Sequence, residues 1–342
     1  MDDILDSRVP LQYQHQEDPL VIGYNLNTRV HCVGWNEQSL AYGHDLGVGI
    51  LMRETDLSEK IAGLPFEFQR QWAFKTSYVH LGLAVENLRF KGQYVAASHS
   101  DFSISYIDLT KGEVTNLGGY RGHRSFVNGL DVSYDGIVAS TGDDRNLLIW
   151  EDVQQLPQLF RLSGTGLKVR FWDENDSDRL VVLEAGNRIR VLDWRKRQWL
   201  LTIYPTTQDR FTPYGGNVKD IGVYNSEVIA IGEGWWKKFH IPSLTGGCGY
   251  TAPTDQGRLM SDNSKNGMYS LSGRYIGYAN TQESSIYDLV AASEHGSHVD
   301  IHVNQISSLA LRERGDLLAI ASGTNIYLVR NRAMNYEESL SE

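Results

Sequence analysis

The 342-residue chain contains only two cysteines, Cys32 and Cys248. Two cannot staple so long a chain, which excludes a disulfide framework, and both are read as reduced, packed thiols. Proline is scarce, at 8 residues. No apolar stretch approaches the roughly 20 residues of a membrane helix. No amphipathic helix of convincing length can be traced, and the best helical or loop candidate is Phe66–Ser77. Cations are outnumbered 32 to 42, a net charge of −10. Such a surface repels a phosphate backbone and an anionic membrane, so neither nucleic acid nor membrane is expected as a direct partner. The start, Met1-Asp2-Asp3-Ile4-Leu5-Asp6, is acidic and has neither the apolar run of an export signal nor the arginines of a transit peptide. The acceptor triplet Asn175-Asp176-Ser177 is therefore read as unmodified.

Recognisable catalytic motifs are missing too. There is no Gly-Lys-Ser/Thr phosphate loop, no His-Glu-x-x-His, no Cys-x-x-Cys and no Gly-x-Ser-x-Gly elbow. The glycine clusters at Gly43, Gly47 and Gly49 and at Gly118, Gly119 and Gly122 never sit between a strand and a helix, so they read as hairpin turns rather than phosphate cradles. His295, His298 and His302 have metal-like spacing. A structural zinc site wants four ligands, often with cysteine, and no cysteine is near in sequence. They are read as solvated or capping histidines, and no metal, cofactor or enzymatic activity is expected.

What the chain has in quantity is glycine (33), tyrosine (18) and tryptophan (8), within a composition that is 41% hydrophobic. It also has a recurring phrase: Gly92-Gln93-Tyr94-Val95-Ala96, Gly273-Arg274-Tyr275-Ile276-Gly277 and Gly315-Asp316-Leu317-Leu318-Ala319, with shorter forms elsewhere. Taking the small or β-branched last residue as an anchor places anchors at 41, 96, 139, 182, 230, 277 and 319, spaced by 55, 43, 43, 48, 47 and 42 residues. A four-stranded propeller blade takes about 40–45 residues. Short runs of strand-formers flank each anchor, separated by Gly, Asn and Asp turns. The expected fold is therefore all-β, a single seven-bladed propeller over residues 1–342. Its expected appendages are an N-terminal arm (1–19), an insertion between blades one and two (54–79, in the one oversized gap) and an acidic tail (333–342). Because open sheet edges template aggregation, the segment Pro19–Tyr24 is expected to close the ring by pairing with the last blade.

Residues 122–150 carry the clearest motif. Gly122-His123 is followed by Ser140-Thr141-Gly142-Asp143-Asp144 and then Leu148-Ile149-Trp150. This resembles a WD repeat. In that pattern His123, Ser140, Asp144 and Trp150 form a buried hydrogen-bonded tetrad, where each unsatisfied polar group would cost about 1–3 kcal/mol. His123, Asp144 and Ser140 also make a triad-like list, read here as structural.

A narrower resemblance rests on Phe126-Val127-Asn128-Gly129-Leu130 within that blade, on Ser163, Gly166, Val169, Trp172 and Glu184 in the next, and on Val30-His31-Cys32-Val33 with Leu40-Ala41-Tyr42-Gly43 in the first. Over roughly 30–43 and 122–203 the chain resembles the small WD-repeat nucleoporins of the nuclear pore's Y-shaped outer-ring scaffold, the nucleoporin thirty-seven family. That resemblance implies a non-enzymatic scaffold subunit at the nuclear envelope, docked on a large propeller-plus-solenoid nucleoporin of one short arm, supporting pore assembly and transport. In an animal it also implies a visit to kinetochores in mitosis. The competing expectation is a WD-repeat adaptor of another complex, a ubiquitin-ligase substrate receptor or chromatin reader.

Two clusters are candidate partner-binding residues. One is the basic run Arg188, Arg190, Arg195, Lys196 and Arg197, read either as a solvated turn or as a patch for an acidic partner. The other is Trp235-Trp236, followed by Lys237-Lys238. On a strand the two indoles point to opposite faces, so one is expected in the blade core and the other near the rim, where Trp is enriched at hot spots.

Overall fold

A computed structural model of the chain describes residues 12–14, 21–26, 28–36, 39–53, 74–173, 176–205, 217–241, 253–259, 267–290, 299–301, 303 and 305–330. Residues 54–73, Asn175, Cys248, His295, His298, His302 and the tail 333–342 lie outside the described residues.

Seven antiparallel sheets follow one another along the chain. Blade one is Val30–Trp35, Ser39–His44, Gly47–Arg53 and Phe74–His80. Blade two is Val85–Lys91, Tyr94–His99, Ile104–Asp108 and Glu113–Asn116, and blade three is Val127–Val132, Val138–Gly142, Asn146–Trp150 and Gln158–Arg161. Blade four is Gly166–Asp173, Asp176–Glu184, Arg188–Asp193 and Gln198–Ile203, and blade five is Val218–Tyr224, Glu227–Gly232, Trp235–His240 and Asp255–Arg258. Blade six is Met268–Ser272, Tyr275–Ala279, Glu283–Asp288 and Val299–Asp300. Blade seven is Ser308–Leu311, Leu317–Ser322 and Asn325–Arg330, completed by the N-terminal strand Val21–Asn25. The expected seven-bladed propeller is what forms, and every anchor falls on the second strand of its blade.

The packing explains why those anchors are continuous apolar runs. A second strand is covered on both faces by neighbouring blades, so both of its side-chain rows are buried. In blade four, Val181 joins the apolar cluster shared with blade five, while the adjacent Val182 joins the one shared with blade three. Seven such clusters fill the seven interfaces of the ring, including the one between blades seven and one. The glycine that opens the recurring phrase has its own reason. Gly92, Gly136, Gly273 and Gly315 have φ of 54°, 81°, 54° and 72°, the left-handed region that a tight turn between first and second strands requires.

Val21–Asn25 pairs antiparallel with Asn325–Arg330, as the sealing role of the N-terminal segment required. The arm also holds a further strand, Gln12–Gln14, on the outside of the same sheet. The insertion is corrected. Phe74–His80 is not part of a segment between blades one and two but the outermost strand of blade one, in register with Gly47–Arg53. The same pairing makes residues 74–77 strand rather than helix. The physical reason is that Gly47–Arg53 would otherwise present an unpaired edge.

Candidate functional site

In blade three the ring of His123 bridges two partners. Nδ1 donates to the Asp144 carboxylate at 2.9 Å, and Nε2 lies 2.8 Å from Ser140 Oγ. Asp144 also accepts the amides of Arg124 and Asn146. Burial pushes the Asp144 carboxyl up, but His123 and these amides outweigh it and hold it at about 2. The distances are those of a hydrolase triad, yet Ser140 is wholly buried, so no substrate carbonyl reaches its hydroxyl. The fourth member departs from the WD pattern. Trp150 is fully buried, but its indole N–H has no hydrogen-bond partner among the described residues. Neighbouring blades solve the same problem differently. His99 of blade two bonds Ser105 at 2.8 Å. In blade four, buried Glu184 accepts from the Ser163 hydroxyl and the Gly164 amide and pairs with Arg188 and Arg190 at 2.6 and 3.2 Å.

Both tryptophans of the candidate docking pair are buried, at 6% and 2% exposure, which corrects the interface reading of Trp235 and Trp236. The indoles do point to opposite faces, but each face is covered. Trp235 packs into the cluster between blades four and five, and Trp236 into that between five and six. Gly232 and Gly257 make room, since a Cβ at either would overlap an indole. Lys237 and Lys238 are buried with them, donating to the carbonyls of Pro205 and Leu289 at 2.9 and 3.0 Å.

Arg195, Lys196 and Arg197 are exposed and Arg188 and Arg190 half-buried, but the charge of the basic run is largely answered from within. Arg195 pairs with Glu151 and Asp178 and lies over the Trp194 ring. Lys196 pairs with Asp193 at 2.8 Å. Arg197 donates to Gln158 and to the carbonyl of Leu159. A patch for an acidic partner needs unanswered charge, so Arg195 and Arg197 are corrected to braces onto blade three and Lys196 to a brace within its own hairpin.

Two surfaces that sequence reasoning missed stand out. The first is apolar. Of nine exposed large hydrophobic residues among those described, five belong to blades two and three and their connection: Val114, Tyr120, Phe126, Leu156 and Leu159. Tyr120 is 83% exposed and Phe126 is 54% exposed. Phe126 meets Phe102 edge-on, ring centroids 5.1 Å apart, and Phe102 is held at φ 71°, a conformation bulky side chains rarely adopt. Phe126 is visible in the sequence, but only as part of a family phrase.

The second is the mouth of the central channel, on the face that carries the turns between first and second strands. The opening has a volume of about 700 Å³ and is lined by residues from every blade. Inner strands are latched around it by side chains. Asp131 accepts the Phe171 amide at 2.8 Å, Asp220 the Leu271 amide at 3.1 Å, Ser270 the Leu311 amide at 3.0 Å and Ser308 the Val33 amide at 3.2 Å. Tyr134 donates to Glu313 at 3.0 Å, from blade three to the turn of blade seven.

No protein-family model matches the chain. It is similar to an uncharacterized WD repeat-containing protein of Schizosaccharomyces pombe, with 28% identity over 228 residues, which is 52% of this chain and 58% of that relative. The match thus spans a little over half the relative's length. WD-repeat propellers are typically interaction scaffolds without catalytic activity. Seven blades, the His123–Ser140–Asp144 network of blade three and this likeness together support the WD-repeat family for the chain.

Proposed function

We propose that the protein is a docking scaffold whose partner-binding surface lies on the sector formed by blades two and three. The observation that carries this reading is the concentration of exposed Tyr120, Phe126, Val114, Leu156 and Leu159 on one sector of a ring whose other large hydrophobics are mostly packed between blades. Exposed aromatics in a cluster mark protein-binding sites. The strained φ of Phe102 under Phe126 is of the kind retained where a side chain must be presented. A partner of standard size would cover about 800 Å² of this sector. The finer reading follows the resemblance stated above. It makes the chain a structural subunit of the Y-shaped outer ring of the nuclear pore, held against a large propeller-plus-solenoid nucleoporin at the nuclear envelope.

The test is a fluorescent fusion of the full chain, with Y120A/F126A beside it. The nucleoporin reading expects a nuclear-rim ring for the parent chain and a diffuse signal for the double variant. A diffuse parent signal overturns it. A second reading, an adaptor for another complex, is favoured by the open channel mouth, which is roomy enough for a peptide side chain or turn. Affinity purification separates the two by whether pore-scaffold subunits or ligase subunits and histone tails are recovered.

A further inference from the structure

The chain is acidic overall, yet cations gather within its channel. Arg89 comes from the inner strand of blade two, and Arg170 from that of blade four. Both line the channel mouth, with Asp131 beside them. Lys168, two residues before Arg170 on the same strand, lies within electrostatic reach of Arg89, Arg170 and Asp220.

The two carboxylates in this group are already engaged. Asp220 pairs with Arg170 at 2.8 Å and also accepts the amides of Ile221 and Leu271 at 3.0 and 3.1 Å. Asp131 is bonded by the Phe171 amide at 2.8 Å. On the cationic side, donors are left over. Arg89 uses Nε on the Leu130 carbonyl and one terminal nitrogen on that of Leu88, at 3.2 and 3.4 Å, and its other terminal nitrogen has no partner among the described residues. Lys168 has neither a hydrogen bond nor an ion pair among the described residues. Three cations therefore face two committed carboxylates, and the ammonium of Lys168 and one edge of the Arg89 guanidinium have no hydrogen-bonded partner among the described residues, although Asp220 acts on Lys168 from a distance.

We propose that the channel binds one small phosphate-class anion between Arg89 and Lys168. Tetrahedral oxyanions accept several charge-assisted hydrogen bonds at once, which suits one guanidinium edge and one ammonium. The mouth, at about 700 Å³ and lined by Arg89 and Arg170, admits such an anion with its water, and Lys168 lies one step deeper along the strand that carries Arg170. Lys91 at the rim adds positive potential, against Glu313, which is held by Tyr134, while Arg274 at the rim is paired with Asp288. Low-dielectric walls around a cleft focus the field of such charges. Desolvation and the neighbouring Arg170 lower Arg89 to about 10. Desolvation, with Arg170 and Arg89 acting against Asp220, lowers Lys168 to about 8. An anion relieves that repulsion, so affinity is expected to fall as pH rises through about 8 and Lys168 loses its proton. The groups facing Lys168 are Asp220, Arg170 and Arg89, and Asp131 faces Arg89.

The test is calorimetric titration of the full chain with sodium pyrophosphate at pH 7 and fixed ionic strength, with thermal melts in parallel. One saturable site and a raised melting temperature are expected. K168M and R89Q are each expected to weaken binding by about tenfold or more. K196M, which removes an exposed lysine already paired with Asp193, should leave binding unchanged. K168M removes no observed bond, so its melting temperature without anion should be no lower than that of the parent chain. If R89Q does not fold, K168M alone decides. The proposal is overturned by any of three results: no saturable binding up to roughly millimolar pyrophosphate, equal affinity in K168M, or binding of a polyglutamate peptide at the same residues without binding of pyrophosphate.

Discussion

Arg170 of blade four and Asp220 of blade five are joined by a 2.8 Å ion pair, and the same carboxylate accepts the Leu271 amide of blade six. One side chain thus straps three consecutive inner strands together. Burial pushes the Asp220 carboxyl up, but Arg170, Lys168 and Arg89 outweigh it and keep it below the usual carboxylate range, so it is charged at neutral pH. D220A strands the Arg170 guanidinium and frees an amide. It is expected to destabilise the protein by about 3 kcal/mol or more in denaturant unfolding, whereas R170M/D220L, which removes both charges, should cost less. Equal losses would show that the pair is not coupled.

The His123–Asp144 pair of blade three makes a pH-dependent contribution. Asp144 is held at about 2, below its ordinary 3.8. A depressed carboxylate stabilises the fold at pH values above its unfolded pKa, and that stabilisation disappears as pH falls through the folded value. D144N is therefore expected to cost about 1–2 kcal/mol at pH 7, allowing for solvent screening, and the gap to the parent chain should close between about pH 4 and pH 2. Melts across that range check it. A gap that persists at pH 2 assigns the loss to packing.

Burial of the tryptophan pair changes what their substitution should do. W235A opens a cavity between blades four and five, with an expected cost of about 3–5 kcal/mol. G232A, whose new methyl would overlap the Trp235 indole, is expected to cost about 1–3 kcal/mol by overpacking. Any weakened partner binding in W235A should therefore track the loss of folded protein. Lost binding with an unchanged melting temperature would restore an interface role.

On the sector of blades two and three the opposite pattern is expected. Tyr120 and Phe126 are exposed, so Y120A/F126A should shift stability by less than about 1 kcal/mol while weakening partner capture by tenfold or more. Circular dichroism melts and quantitative pull-downs measure the two effects separately.

Cys32 is buried, and burial raises its thiol to about 12. In a C248S background, native protein at pH 8 should leave the thiol-exchange reagent DTNB unreacted, and one thiol should titrate after unfolding. Rapid reaction of the native chain would mean that the interface between blades one and two opens readily.

The features legible in the sequence were those that packing makes periodic or chemically singular. Second strands are buried on both faces, so each leaves an unbroken apolar mark such as Val181-Val182-Leu183, and the turn before it needs a left-handed residue such as Gly136. Outer strands carry a weaker mark. Phe74–His80 alternates with polar residues and follows a long connection, so it read as insertion. Alternation correctly sends Trp235 and Trp236 to opposite faces, but it does not tell that a neighbouring blade covers each. Charge is the least local property. Arg195 is answered by Glu151 and Asp178 from other turns, while Arg89 and Lys168, on different blades, come within electrostatic reach only when blades two to four are assembled.

The sealing strand Val21–Asn25 sets an order of events. It leaves the ribosome before any complete blade, yet its partner Asn325–Arg330 emerges last of the described strands. Blades one to six can each gather locally as they appear, while the early segment must wait with the edge that faces blade seven unmatched. Full cooperativity therefore arrives only after residue 330 is free. A nascent chain stalled before that point would be an open arc with two sticky ends, the form in which chaperones should find it.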